Sequence, residues 1–111
     1  MTQIYPPDRR IDMCRRLVVM RRTIGEAIGY RLCPSPVWDM LLDLYAARLE
    51  RRPVSVSSLC IAAAVPATTA LRWIKTMTDA GLFLREADPH DGRRIYIALT
   101  ESAADAMARY F

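Results

Sequence analysis

Histidine and lysine are almost absent from this 111-residue sequence, which contains one of each. The sequence also lacks a cysteine–histidine pair, a glycine-rich phosphate loop and a cluster of carboxylates. Acid–base, nucleophilic and phosphate-transfer sites need such groups close together. The single histidine, His90, is predicted in an exposed loop, where a solvated side chain is the simpler interpretation. The sequence therefore predicts no enzyme activity, no metal site and no cofactor.

A membrane span and a secretion signal are also missing. No apolar run approaches the roughly 18 residues of a spanning helix, and no apolar segment follows the first residues as in a signal peptide. The three cysteines, Cys14, Cys33 and Cys60, are widely spaced and form no metal pattern. Buried, reduced thiols in a cytoplasmic protein are expected, and oxidant sensing is the alternative.

Arginine supplies fifteen of the sixteen basic residues, and five Arg-Arg pairs occur. The net charge is +4. Residues 1–31 carry seven arginines and three acidic residues, which places the excess at the N-terminal end. Since arginine binds phosphate through two parallel hydrogen bonds, such a surface suits nucleic acid. The alternative is a solvated face whose charges are partly paired.

Two long helices are predicted first, over residues 8–31 and from Ser35 to Pro53. Apolar residues recur in both at the helical period. Asp8 can cap the first helix, and Ser35 with Pro36 suits the start of the second. The apolar positions are Ile11, Cys14, Leu17, Val18, Ile24 and Ile28 in the first helix, and Trp38, Leu41, Leu42, Tyr45 and Leu49 in the second. The aromatic pair is interpreted as core, with a ligand pocket as the alternative.

Two short helices are predicted next, after a very short strand at 53–54. Ser55 can cap a helix that runs to about residue 63, and a bend at 64–65 leads to Pro66, which suits the start of a helix over 66–80. Gly81 is placed to end that helix. Two strands, 82–87 and 94–100, then form a hairpin, and Thr100 can cap a last helix. The fold class predicted is mainly α with a small β-hairpin, in the order of a winged helix-turn-helix.

The two short helices match the helix-turn-helix spacing. Small or apolar residues occupy the turn, although Ala64 stands where glycine is usual, and Ala70 and Ile74 take inward positions. Arg72 can reach a guanine edge or a phosphate, and Thr68 and Thr69 a phosphate or a thymine methyl. The alternative is an ordinary packed helix pair. The residues expected at DNA on this helix are Pro66, Ala67, Thr68, Thr69, Leu71, Arg72 and Lys75.

From about residue 37 to 104 the chain resembles the MarR family of bacterial regulators. The resemblance is carried by "LCIAAAVPATTALRWIKTMTDAGLFLR" and by the wing "DPHDGRRIYIALT", in which Asp88, Pro89, Asp91, Arg93, Leu99 and Thr100 match the family signature. The resemblance implies a dimeric winged-helix repressor or activator. It also implies that Arg93, beside Arg94, approaches the DNA minor groove or backbone, with Asp88 and Asp91 as supports.

The wing residues have a physical interpretation of their own. Pro89 and Gly92 shape the turn, and Asp91 can pair with Arg93 and aim it. The alternative is a surface ion pair that contributes little to stability.

The function predicted is a sequence-specific regulator that binds double-stranded DNA, with a roughly palindromic operator and a homodimer. Residues 1–34 are expected to serve dimerisation, 35–100 DNA binding, and 101–111 to begin a C-terminal helix. The chain ends at Phe111, earlier than the family pattern, so the dimer is expected to use residues 8–31 and the apolar tail Ala103, Ala104, Met107, Tyr110 and Phe111. A small-molecule effector is left open. The alternative function is a winged-helix interaction module that docks an acidic partner through its arginine-rich first helix.

Overall fold

The computed structural model describes residues 7–28 and 36–109. The predicted order of elements is confirmed: two long helices, a short strand, two short helices, a hairpin and a final helix. Residues 29–31 of the first predicted helix, and the predicted cap Ser35, lie outside the described residues. The elements are α1 Pro7–Ile28, α2 Pro36–Glu50, β1 Val54–Ser55, α3 Val56–Ala63, α4 Ala67–Asp79, β2 Phe83–Ala87, β3 Ile95–Leu99 and α5 Glu101–Ala108.

The sheet has three antiparallel strands in the order β1-β3-β2. Val54 pairs with Ile97, and Phe83 pairs with Leu99. These four residues are almost fully buried, while Ile95, the other apolar residue in the alternation of β3, is partly buried. The period-2 pattern of β3 therefore reports its core face correctly. The pairing of β2 with β3 confirms the predicted hairpin.

The second helix, α2, is buried on more than the one face that its spacing predicts. Leu42 and Tyr45 are buried as expected, but Met40, Leu44 and even Asp39 are buried as well. The reason is that α1, α3 and β3 all pack against α2. A periodic pattern of apolar residues predicts a helix with one solvent-exposed face. A helix that is covered from several sides has no such face, so its periodicity underestimates its burial.

The first helix, α1, joins the same core through Cys14, which is fully buried, with Met13, Leu17 and Val18 packed beside it. Arg10 is also buried, and its guanidinium donates a hydrogen bond to the Tyr45 hydroxyl at 3.2 Å. Val19 and Met20 remain exposed on this helix. The helix therefore contributes to the core and still presents apolar side chains to solvent.

The predicted caps of the short helices are confirmed. The Ser55 hydroxyl accepts a hydrogen bond from the Ser58 N–H, and the Thr100 hydroxyl accepts one from the Ala103 N–H. Gly81 has φ +77° and ends α4, because its own N–H and that of Leu82 reach back to the last turn. The Thr100 side chain also donates to the Gly81 carbonyl at 2.9 Å, which ties the start of α5 to the end of α4.

The final helix, α5, differs from expectation. Ala103, Ala104 and Met107 were expected to offer apolar surface to a partner, but all three are buried in the core of their own chain. The expectation is wrong for these residues because they pack into the same core cluster as the other buried residues of the chain. Tyr110 and Phe111, the other two residues of that set, lie outside the described residues.

Within the described residues, no single helix is long and apolar enough to cross a membrane. The consecutive helices α3 and α4 pass that test together by length and composition alone, and the chain bends by 109° between them.

The turn between α3 and α4 is expected to limit stability. Ala64 has φ 56° and ψ 37°, in the left-handed region that a Cβ atom disfavours by about 1–2 kcal/mol. We expect Ala64→Gly to raise the free energy of unfolding by about 0.5–1 kcal/mol, after the entropy cost of glycine, as measured by urea titration. Ala106→Gly, in the right-handed helix α5, is the control and should lose about 1 kcal/mol. Equal losses in both variants would contradict a strained turn.

Candidate nucleic-acid interface

The pair α3 and α4 has the geometry of a helix-turn-helix. The 109° bend lies in the range of such motifs. Ala70 and Ile74, the two residues predicted to point inward, are 0% and 1% exposed, and Met77 continues the buried face by one turn. Because a helix is rigid, burial of these three residues determines which side chains of α4 face away from the protein.

The residues predicted to contact DNA on α4 lie at its solvent side. Pro66, Ala67, Thr68, Leu71, Arg72 and Lys75 are exposed, and Thr69 is partly buried. Leu71 keeps 46% of its surface in solvent. The structure thus brings the seven residues onto one end and one side of a single helix, at the end that enters the major groove in this class of motif.

The two cations of α4 differ in their surroundings. The Lys75 ammonium lies 2.8 Å from an Asp79 carboxylate oxygen, one helical turn further on. Among the described residues, none forms a hydrogen bond or ion pair with the Arg72 side chain. Arg72 is therefore the side chain of α4 whose charge is available to a ligand, whereas a ligand must compete with Asp79 for Lys75.

The wing is built as two successive turns, each started by an aspartate. The Asp91 N–H binds the Asp88 carbonyl and the Arg94 N–H binds the Asp91 carbonyl. In each turn the aspartate carboxylate accepts the N–H two residues ahead, from His90 at 2.8 Å and from Arg93 at 3.0 Å. Side-chain bonds of this kind are what favour aspartate at turn starts. The two aspartates of "DPHDGRR" therefore indicate two turns. The predicted ion pair of Asp91 with Arg93 does not use this turn preference.

The predicted contact between Asp91 and Arg93 is present but loose. The guanidinium Nε lies 3.6 Å from the carboxylate, and the Arg93 side chain is 95% exposed. Asp91 therefore holds the backbone of Arg93 more firmly than its side chain. Arg94 lies at the base of the wing, where the Tyr96 hydroxyl and the Asp88 carboxylate raise its pKa above the ordinary value.

Asp88 is anchored to the sheet by Tyr96. The Tyr96 hydroxyl donates a hydrogen bond to the second carboxylate oxygen of Asp88 at 3.1 Å. The pKa of Asp88 is lowered, first by the His90 N–H, and further by the Tyr96 hydroxyl. Tyr96 is thus a functional candidate that the sequence did not reveal, because its position indicated only a strand residue. It joins the strand β3 to the first turn of the wing, which precedes the turn that carries Arg93.

An open cleft of about 740 Å³ separates the wing from the start of α3. Hydroxyl and guanidinium groups face each other across it, and Ser57 and Ser58 are exposed. Neither serine belongs to the residues predicted to bind DNA. The lining residues are Pro53, Ser55, Val56, Ser57, Ser58, Asp91, Arg93, Arg94, Ile95 and Tyr96.

The arginines of α1 are partly engaged within the chain. Arg15 forms an ion pair with Glu50, Arg16 pairs with Asp12 at 3.0 Å, and Arg10 is the buried partner of Tyr45. A basic helix whose charges are already paired is a weaker docking surface for an acidic partner, because binding must replace contacts that exist.

Thiol and metal chemistry find little support in the part of the chain that the structure describes. Burial raises the pKa of Cys14 to about 11 and also raises the pKa of Cys60. Both thiols are thus protonated at neutral pH, which disfavours oxidation. Cys33 lies outside the described residues. Residues 7–28 and 36–109 contain no group of three or more histidine, cysteine or acidic side chains that could hold a metal ion.

Comparison with known families decides the classification. Residues 39–103 match the family model described as a winged helix DNA-binding domain. The chain belongs to this family. Among proteins with curated descriptions, none matches the sequence.

Solved structures of MarR-type regulators have the same fold. The structure of S. aureus MepR in complex with DNA is similar with a TM-score of 0.61 at 18% identity, over 86% of this chain and 77% of that one. The structure of E. coli MarR has a TM-score of 0.58 at 19% identity, over 97% of this chain and 75% of that one. ZitR of Lactococcus lactis gives 0.52 at 14% identity over 65% of this chain, and the match spans only 48% of ZitR. The resemblance to MarR regulators is confirmed as a likeness of fold.

The anchor of the wing can be tested by titration. We expect Tyr96→Phe to raise the pKa of Asp88 toward its ordinary value of 3.8, because one hydrogen-bond donor to the ionised carboxylate is lost. Carboxyl-carbon NMR against pH measures the shift. Asp43, on α2, is the internal control, because burial raises its pKa and Tyr96 is not among the causes.

The sign of the effect follows from the direction of the shift. A lowered pKa means that the ionised Asp88 stabilises the folded wing above the ordinary pKa and that this contribution disappears as the pH falls through the folded value. An unchanged Asp88 titration in the variant would contradict Tyr96 as the anchor.

Proposed function

We propose that this chain is a transcription regulator that binds double-stranded DNA as a homodimer. The outward face of α4 enters the major groove, and the wing lies against the adjacent backbone or minor groove. Two arginines carry the proposal. The Arg72 side chain has no partner among the described residues and lies on the exposed side of α4, and Arg93 is 95% exposed on a preformed turn. Membership of a winged helix DNA-binding family supports it, as does the fold shared with a regulator solved on DNA.

Each part of the interface has a distinct role. Thr68, Thr69 and Arg72 offer hydrogen bonds to base edges or phosphates. Ser57 and Ser58, across the cleft from Arg93 and Arg94, are suited to a backbone phosphate, which both hydroxyls and guanidinium groups bind. The residues assigned to DNA binding lie within 35–100. Because its ligand is DNA, we place the protein in the cytoplasm.

The dimer is assigned to the first 34 residues. Val19 and Met20 on α1 are 62% and 49% exposed, and we assign these two neighbouring apolar side chains to the surface that the partner covers. The described part of the C-terminal tail adds less than the sequence suggests, because Ala103, Ala104 and Met107 are used internally. With a two-fold axis, two copies of α4 would meet half-sites about one DNA turn apart.

The first experiment is a selection of bound duplexes from a random pool, followed by point variants. Arg72→Ala should weaken binding of the selected duplex by about 1–3 kcal/mol if the side chain meets a base edge. Arg109→Ala, the control, removes the same charge from an exposed position after α5 and should change affinity by less than about 0.5 kcal/mol. Fluorescence anisotropy with a labelled duplex measures both.

Three outcomes would count against parts of this proposal. Equal losses in the two variants would mean that only net charge matters. A selected motif without two-fold symmetry, together with a monomer in light scattering, would remove the dimer. If no duplex of any sequence binds at any salt concentration, DNA is not the ligand, and the interaction-module alternative becomes the better explanation.

The wing has its own test, in the dependence of affinity on salt. Arg93→Ala should weaken binding to all duplexes to a similar degree and reduce the slope of log affinity against log salt by about one unit per protomer, because one phosphate contact is lost. Asp91→Asn should cost little, since its amide oxygen can still accept the Arg93 N–H. Asp91→Ala removes that acceptor and should cost more. An unchanged slope in Arg93→Ala would show that the wing does not touch DNA.

A further inference from the structure

A slot of about 160 Å³ lies along one flank of α4, lined by Thr69, Arg72, Trp73 and Thr76. Two of these residues, Thr69 and Arg72, belong to the face proposed to meet DNA. The other two, Trp73 and Thr76, were not among the residues that the sequence pattern assigned to binding. The slot therefore borders the side of the helix that the proposed function turns toward the major groove.

Trp73 forms the apolar wall of the slot. Its side chain follows the buried Ala70 by three positions and precedes Ile74 by one, so it lies at the border between core and solvent, with 38% of its surface exposed. None of the described residues accepts a hydrogen bond from its indole N–H. A large aromatic side chain half out of the core, with its polar group unused, is the kind of residue that interfaces employ.

The remaining walls offer little polar competition. The Thr76 hydroxyl donates its hydrogen to the Arg72 carbonyl at 3.0 Å, within the helix. That hydrogen is therefore not available to a base. The guanidinium of Arg72 is the one strong donor beside the slot, and no described residue pairs with it. An apolar group of the ligand is thus suited to the slot, next to an acceptor that Arg72 can bind.

We infer that this slot receives the 5-methyl group of a pyrimidine, in the first place thymine, beside the base or phosphate bound by Arg72. The inference rests on the proposed DNA-binding function and names what α4 reads. In the major groove the thymine methyl is the apolar group that marks an A·T pair and its orientation. A water molecule occupies roughly 30 Å³ in the liquid, and a methyl group is of comparable size, so the slot has room for the methyl group and the ring edge that carries it.

The test compares duplexes that differ by single methyl groups. Each thymine of the selected duplex is replaced in turn by deoxyuridine, which lacks only the 5-methyl group. The parent protein should lose about threefold to tenfold in affinity at one position per half-site, as expected when one buried methyl contact is removed. Trp73→Ala should bind the thymine and deoxyuridine duplexes equally. Because the comparison is made between two duplexes and one protein, a smaller folded fraction of the variant cancels.

Leu84→Ala is the matched control, since Leu84 is a similarly exposed apolar residue on β2, at 42%. It should retain the preference of the parent for thymine. If Trp73→Ala fails to fold, Trp73→Phe keeps an aromatic ring and should show a reduced preference. A third duplex set, with 5-methylcytosine in place of cytosine, separates the two sources of the methyl group. A higher affinity for the 5-methylcytosine duplexes would mean that the slot accepts any pyrimidine 5-methyl group. An unchanged affinity would mean that it accepts only that of thymine.

Two results would overturn the inference. One is a parent protein that binds its selected duplex but is insensitive to deoxyuridine at every thymine. The other is a Trp73→Ala variant that keeps the full preference of the parent. In both cases the DNA-binding function would stand and only the role of the slot would fall. A parent that selects no duplex would remove the proposed function and this inference together.

Discussion

The burial of one face of α4 is the constraint on which the candidate interface depends. Ala70 and Ile74 are almost fully covered, with Met77 one turn further on. Rotation of the helix would expose them and lose about 1.5–3 kcal/mol for a side chain the size of Ile74. With the helix held in this way, Arg72 has only solvent to face. The same packing leaves Trp73 at the edge of the core, so the apolar contact that stabilises α4 also shapes its outer surface.

The wing has no core of its own, so the position of its cation at the hairpin tip depends on hydrogen bonds. Its two turns are closed by aspartate side chains that bind the backbone, and Tyr96 ties the first of them to the sheet. Backbone order is thereby established before a ligand arrives, which lowers the entropy cost of binding. Arg93 keeps a mobile side chain on an ordered backbone, a suitable arrangement for a phosphate contact that needs charge more than fixed geometry.

Composition and position have separate meanings for the arginines. The net positive charge of the sequence lies in the first 31 residues, yet Arg10, Arg15 and Arg16 on α1 have partners within the chain. Arg72 and Arg93 have little or no internal pairing, as do Arg51, Arg85 and Arg109, and all five lie in a part of the sequence that is nearly neutral overall. An excess of arginine thus indicates the kind of ligand, while the internal pairing shows that three arginines of α1 are already engaged within the chain.

Local patterns in the sequence determined the order of the elements, the caps at Ser55 and Thr100, the end of α4 at Gly81 and the inward positions of α4. Each rests on a preference that acts within a few residues, such as a hydroxyl that accepts a nearby N–H or a left-handed φ suited to glycine. Only the tertiary structure decided that α2 is covered from several sides, that Ala103 and Met107 are internal, and that Trp73 and Thr76 border a slot. Those features depend on which distant segment packs against each face, and a periodic pattern records that a face is apolar without recording what covers it.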